Sequence, residues 1–107
     1  MIKIEDTIAG MTSPDYKFRF QAEYWQTKIR YEKLKAMLTK WEALKEKYDY
    51  FLNESIVEKY LGFIPTCPYE MLREQQRQMG EYLHSLEKRA ALEDIDLDEA
   101  VFYTKAA

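Results

Sequence analysis

The chain has 107 residues, 47% of them apolar, 33% charged and 15% aromatic, which is too apolar for a disordered chain and enough for one domain. A net charge of −3 excludes general binding to long nucleic acid. A single cysteine excludes an intrachain disulfide, and no apolar run nears the ~18 residues of a membrane span, so a soluble intracellular protein is expected.

Three glycines and three prolines leave few turns, so the elements must be long and helical. Residues 1–12, "MIKIEDTIAGMT", form a lead-in expected to be poorly ordered or a short strand. Ser13-Pro14-Asp15 is a helix start: Ser13 can cap, Pro14 suits the first helical position, and Asp15 suits the positive end of the dipole. Phe20, Tyr24, Tyr31, Leu34, Leu38, Trp41, Tyr48 and Leu52 then follow steps of three and four, interrupted only at Thr27 and Lys45. This spacing predicts one helix from about Pro14 to Leu52. A second strip runs through Ala22, Trp25, Ile29, Ala36 and Ala43. It implies either two neighbours, one in a hairpin and one in another subunit, or a single wide core face.

Asn53 is placed to cap a short helix, "ESIVEKYL", which Gly62 would end in a left-handed turn. "FIPTCP" should cross over in extended form. Thr66 or Cys67 would cap the next helix, with Leu72, Gln76, Met79, Leu83, Leu86 and Ala90 facing inward. Gly80 would permit close helix approach, and the helix should fade near Glu93. The chain then divides as lead-in 1–12, helical hairpin 13–97 and an acidic, amphipathic tail 98–107. The expected fold class is all-α: a long, coiled-coil-like hairpin with a short extra helix in its connection, self-associating because so small a chain has little interior.

Catalytic chemistry is not evident. His84 and Cys67 do not lie at metal-ligand spacing, no phosphate-cradling glycine loop is present, and Asp94, Asp96, Asp98 and Glu99 lack the turn glycine of a calcium loop. No enzyme, metal or cofactor is expected. What stands out is "DYKFRFQAEYWQTKIRYEKLKAML", residues 15–38, where aromatic rings alternate with cations. From Lys17 to Lys40 there are seven basic residues against two acidic, and from Ala90 to Val101 five acidic and no basic. Rings can stack on a base and cations can neutralise a phosphate. Aromatic stripes at helical spacing also serve as core, and both readings stand on the pattern alone.

Four segments carry a resemblance: the Tyr-Lys-x-Arg-Phe start, "KIRYEKL", the "PTCP" crossover and "QMGEYLHSLEKRA", together spanning most of residues 12–97. In these the chain resembles a family of small bacteriophage helical-hairpin proteins. That family is related to two phage anti-defence sponges, the second anti-CBASS protein and the hairpin half of the first Thoeris anti-defence protein. The resemblance implies a protein of the host bacterial cytoplasm that binds a cyclic di- or trinucleotide, or a cyclic ADP-ribose-type signal, without degrading it. It implies homo-oligomers, up to hexamers, with ligand held between subunits. It assigns Tyr16 and Lys28 to a first ligand role and Arg89 to phosphate at another pocket, with Arg19, Phe20 and Tyr24 beside them. Lys28 lies about 18 Å along the helix from Tyr16 at ~1.5 Å per residue, so one small ligand meeting both would take them from different subunits. The chain departs from the family in residues 43–63, "ALKEKYDYFLNESIVEKYLGF", which intervene before the crossover. An inhibitor of the anti-CRISPR type, docking on a protein through Lys45 to Phe63 of this insert, and a plain structural helical module are the rival expectations.

Overall fold

The computed structural model describes residues 2–106, all helix and loop; Met1 and Ala107, the ends of the expected lead-in and tail, lie outside them. The elements are a 3-10 turn at Ile4–Thr7, α1 (Ile8–Met11), α2 (Tyr16–Tyr48), a 3-10 turn at Asp49–Phe51, α3 (Glu54–Leu61), α4 (Tyr69–Leu92) and α5 (Glu99–Ala106). α2 and α4 form the expected helical hairpin. No helix among the described residues is long and apolar enough to cross a membrane. The chain divides into two compact units, residues 1–31 with 78–107 and residues 32–77.

The start of α2 lies two residues later than the sequence suggests. Asp15, not Ser13, is the cap: its Oδ1 accepts from the Lys17 N–H at 3.0 Å, and its carbonyl accepts from the Arg19 N–H at 3.0 Å. Ser13 Oγ accepts from the Asp15 N–H at 3.1 Å and so braces the cap. The far end also differs. α2 stops at Tyr48 because Asp49 takes a left-handed φ of 46°, a conformation Asp tolerates better than most residues, and a 3-10 turn follows.

In the first unit, α2 is covered on two sides. One side packs on α4, where Phe20 and Tyr24 meet Leu83, Leu86, Ala90 and Ile95. The other side packs on the chain's own ends, where Phe18 and Ala22 meet Ile2 and Phe102, with Trp25, Ile29 and Tyr103 against them. The second strip therefore does have a second neighbour, but for Ala22, Trp25 and Ile29 it is the termini of the same chain. Of the lead-in, expected to be poorly ordered or a short strand, residues 2 and 3 run into helical turns, with Ile2, Thr7 and Gly10 buried. The Ile2 N–H donates to Glu99 Oε1 at 2.9 Å, and Lys105 pairs with Asp15 at 3.7 Å, so both ends are tied down.

α4 ends in a Schellman motif. Asp94 adopts a left-handed φ of 55°, and the Ile95 N–H donates to the Ala90 carbonyl at 2.9 Å. The reversal drops Ile95 onto the Leu86–Ala90 surface, the hydrophobic contact that accompanies this motif. All the inward positions assigned to α4 are buried or half-buried. Gly80 faces the Tyr31 ring, but a methyl there would sit at an ordinary 3.5 Å, so close approach does not require glycine.

In the second unit, Leu38, Leu44 and Val57 are buried. Asn53 caps α3 through an Ile56 N–H···Oδ1 bond of 3.0 Å, and Gly62 ends it at φ 85°, as the sequence predicts. The Trp41 and Tyr69 rings meet edge to face at 5.5 Å, with Lys45 Nζ 3.9 Å from the Tyr69 ring centre. Tyr50 and Phe51 stand out in solvent, 89% and 77% exposed.

Candidate functional site

Helical spacing decides which of the six candidate residues face inward. Phe20 and Tyr24 lie four apart and both point at α4; each is buried. Their rings are core, and no base can stack on them without opening the hairpin. Tyr16, one turn earlier, reaches the end of the seam and is 45% exposed. Arg19 and Arg89 are also exposed and Lys28 is half-buried.

Tyr16 and Arg89, assigned by resemblance to different pockets, belong to one cluster. The Arg89 Nη2–H donates to the Tyr16 hydroxyl at 2.7 Å, and that hydroxyl donates to Glu93 Oε1 at 2.9 Å. Arg89 Nε–H reaches Glu93 Oε2 at 3.3 Å. The guanidinium carbon sits 5.0 Å from the centre of the Phe20 ring, within cation–π range. The Arg19 guanidinium lies 5.9 Å from the Tyr16 ring centre, and its Nη1–H donates to the Ser13 carbonyl at 2.9 Å. An arginine held over a ring and beside an exposed phenol can take a phosphate and a flat ring together.

Lys28 belongs to a neighbouring group. Its Nζ lies 5.9 Å from the Tyr24 ring centre. The Tyr24 hydroxyl donates to Glu87 Oε1 at 3.4 Å. Burial raises the Tyr24 phenol above its ordinary pKa of 10.0, with Glu87 acting in the same direction and Lys28 opposing. Across the same seam the Tyr82 hydroxyl donates to Glu23 Oε1 at 3.2 Å, and burial followed by Glu23 raises its pKa too.

The sequence reading missed Glu93 and the way Tyr16 meets Arg89. The sequence marks Glu93 only as the place where the helix fades, and no local pattern joins residues 73 positions apart. A signal existed in hindsight: Arg89 and Glu93 are spaced i, i+4 at a helix end.

The family model described as Sequestin matches residues 14–92 of the 107. The chain belongs to the Sequestin family. The Sequestin match contains Tyr16, Arg19, Phe20, Tyr24, Lys28 and Arg89, and both helices of the hairpin. Glu93, the lead-in and α5 lie outside it. No curated protein and no solved structure matches the chain.

Proposed function

We propose that this Sequestin-family chain is a phage anti-defence protein that binds a small, anionic, ring-bearing signal and withholds it from its receptor without chemical change. The ligand class is a cyclic di- or trinucleotide or a cyclic ADP-ribose-type nucleotide, in the host cytoplasm. The observation that carries this reading is the exposed Tyr16 ring hydrogen-bonded to Arg89, on a chain whose family name is compatible with sequestration. Arg89 would hold phosphate and Tyr16 would stack on a base, with the Phe20 ring supporting the guanidinium. Catalysis is not part of the proposal: the cluster offers a phenol, a guanidinium and a carboxylate already paired with both.

Assembly with further copies is part of the same reading. Lys28 lies too far along α2 from Tyr16 to share one small ligand with it in the same subunit, so a shared pocket would draw the two from different copies. Mixing a Tyr16 variant with a Lys28 variant would then restore a fraction of the sites. The direct test is equilibrium dialysis of the purified protein against labelled cyclic nucleotides, with native mass measured before and after. Retained ligand, recovered intact after heat denaturation, is the expected result. Loss of the label to a hydrolysed product would refute sequestration.

A second reading has its own support. Tyr50 and Phe51 are exposed, and in the same unit Trp41, Val57, Ile64 and Pro65 line an open cleft of about 500 Å³. These residues suit direct docking on a host protein. Dialysis separates the two readings, since a docking protein retains no nucleotide.

A further inference from the structure

Glu93 occupies the place on Arg89 that an incoming anion needs. Both of its oxygens are used there: Oε2 faces Arg89 Nε at 3.3 Å, and Oε1 accepts from the Tyr16 hydroxyl at 2.9 Å. The carboxylate thus spans the same guanidinium and phenol that the proposed ligand would use. Its own hold is loose. The Arg89 side chain is 53% exposed and that of Glu93 37%, and the 3.3 Å bond is long for a charge-assisted one. An exposed pair of this kind is readily exchanged for another anion. A phosphate has more acceptor oxygens than a carboxylate and, like it, can take the guanidinium fork through two bonds.

The position of Glu93 is also wrong for helix stability. α4 ends at Leu92, so Glu93 sits against the carbonyl end of the helix, where an anion is disfavoured and Arg89 alone would be favoured. Glu93 thus gains nothing from the helix dipole, yet it covers an arginine that sits over a core ring, and so it acts on what that arginine can bind.

We propose that Glu93 is a built-in competitor, a specificity-determining carboxylate that keeps Arg89 closed to weak anions and yields to a phosphate borne by a ring that also stacks on Tyr16. This rests on the reading that the Tyr16–Arg89 face takes a phosphate-bearing ligand. The consequence is that ligands are ranked by whether they offer both groups. A bare anion can at most take over the carboxylate's own bonds to Arg89 and the Tyr16 hydroxyl, whereas a nucleotide also gains the face of the Tyr16 ring.

The experiment is calorimetric titration, at fixed ionic strength, of the full chain and its Glu93→Gln and Arg89→Gln variants. The probes are cyclic di-AMP, cyclic di-GMP, cyclic tri-AMP and inorganic pyrophosphate. Glu93→Gln should bind at least one cyclic nucleotide about fivefold or more tightly than the unaltered chain, and should gain still more for pyrophosphate. Arg89→Gln should lose both. The melting temperature of Glu93→Gln should be unchanged or raised, whereas a merely structural ion pair would lower it and leave affinity no better. Equal or weaker binding by Glu93→Gln overturns the proposal. If no form of the protein binds any cyclic nucleotide, the sequestration reading falls. The pyrophosphate arm then decides Glu93 alone: tighter binding by the variant upholds the competitor role, and equal binding, including none, overturns it.

Discussion

The same substitution, glycine to alanine, should have opposite effects at two positions of this chain. At Gly10 the new methyl carbon would lie 2.5 Å from Ala22 Cβ and 3.0 Å from Phe18 Cε1. Ala22 Cβ cannot rotate away, because it is fixed to the α2 backbone and fully buried. Relief requires the lead-in to move off α2 by more than about 1 Å, and overpacking of this kind costs roughly 1–3 kcal/mol. Alanine's better helix propensity returns up to ~1 kcal/mol within α1. The net expectation is a loss of about 1–2 kcal/mol. At Gly80, in the middle of α4, the methyl would meet the Tyr31 ring at 3.5 Å, an ordinary distance. Only the propensity term then acts, and Gly80→Ala should stabilise by roughly 0.5–1 kcal/mol. Urea unfolding followed by far-ultraviolet circular dichroism gives both values. Limited proteolysis at Lys3 adds a local readout, since a displaced lead-in becomes cleavable in Gly10→Ala before the hairpin unfolds. A Gly10→Ala variant as stable and as protected as the parent would refute the close packing of the lead-in on α2. A destabilised Gly80→Ala would refute the unstrained contact expected with the Tyr31 ring.

Three other outcomes follow from the packing and the site. The folded Tyr24 phenol has a raised pKa, so the folded state keeps its proton where the unfolded state loses it; stability should be intact below pH 10.0 and fall as pH rises above it, and Tyr24→Phe should flatten that fall in unfolding curves at pH 8 and pH 10.5. Trp25 packs against both buried clusters of the first unit, so Trp25→Asp should cost several kcal/mol and unfold the first unit rather than only weaken assembly; a folded monomeric variant by circular dichroism and sedimentation would refute this. Tyr16→Ala should weaken nucleotide binding by roughly 1–3 kcal/mol, and Lys28→Gln should reduce it with little change in melting temperature; unchanged affinity in both by calorimetry would remove them from the site.

The α4 seam was legible because its signal is local. From Leu72 to Ala90 each inward residue lies three or four positions from the next, and no proline interrupts the pattern. The Asn53 cap and the Gly62 stop were legible for the same reason: both rest on residue chemistry at a helix end. Phe18 was not legible. It lies four residues before Ala22, at the head of the second strip, but its partners Ile2 and Phe102 sit in short segments at opposite ends of the chain and give no local signal. "MIKI" has strand-like composition, yet a strand needs a pairing partner, and helical turns that bury Thr7 and Gly10 satisfied the chain instead. The end of α2 was read too late because Asp49, rather than a glycine, takes the left-handed position. At the site, helical periodicity placed Tyr16 but could not separate it from Phe20 and Tyr24, since the stripe gives spacing and not depth.

The charge pattern that drew attention to α2 is not what the first unit presents along the hairpin seam. There each of three tyrosine hydroxyls donates to a glutamate: Tyr16 to Glu93, Tyr24 to Glu87 and Tyr82 to Glu23. The seam edge therefore carries carboxylates beside Arg19, Arg89 and Lys28, and no broad positive field results. A ligand there would be held by one or two directed cations rather than by a basic surface. Each phosphate neutralised releases about one counterion at most, so the logarithm of affinity against the logarithm of salt should have a slope no steeper than about −2. A long polyanion engaging the basic excess of Lys17–Lys40 would give a much steeper dependence. The measurement is nucleotide affinity from 50 to 400 mM salt, with heparin as the polyanion control. A steep slope for the nucleotide, or tight salt-sensitive binding of heparin, would show that the diffuse charge of α2 dominates and that the Tyr16–Arg89 geometry does not select the ligand.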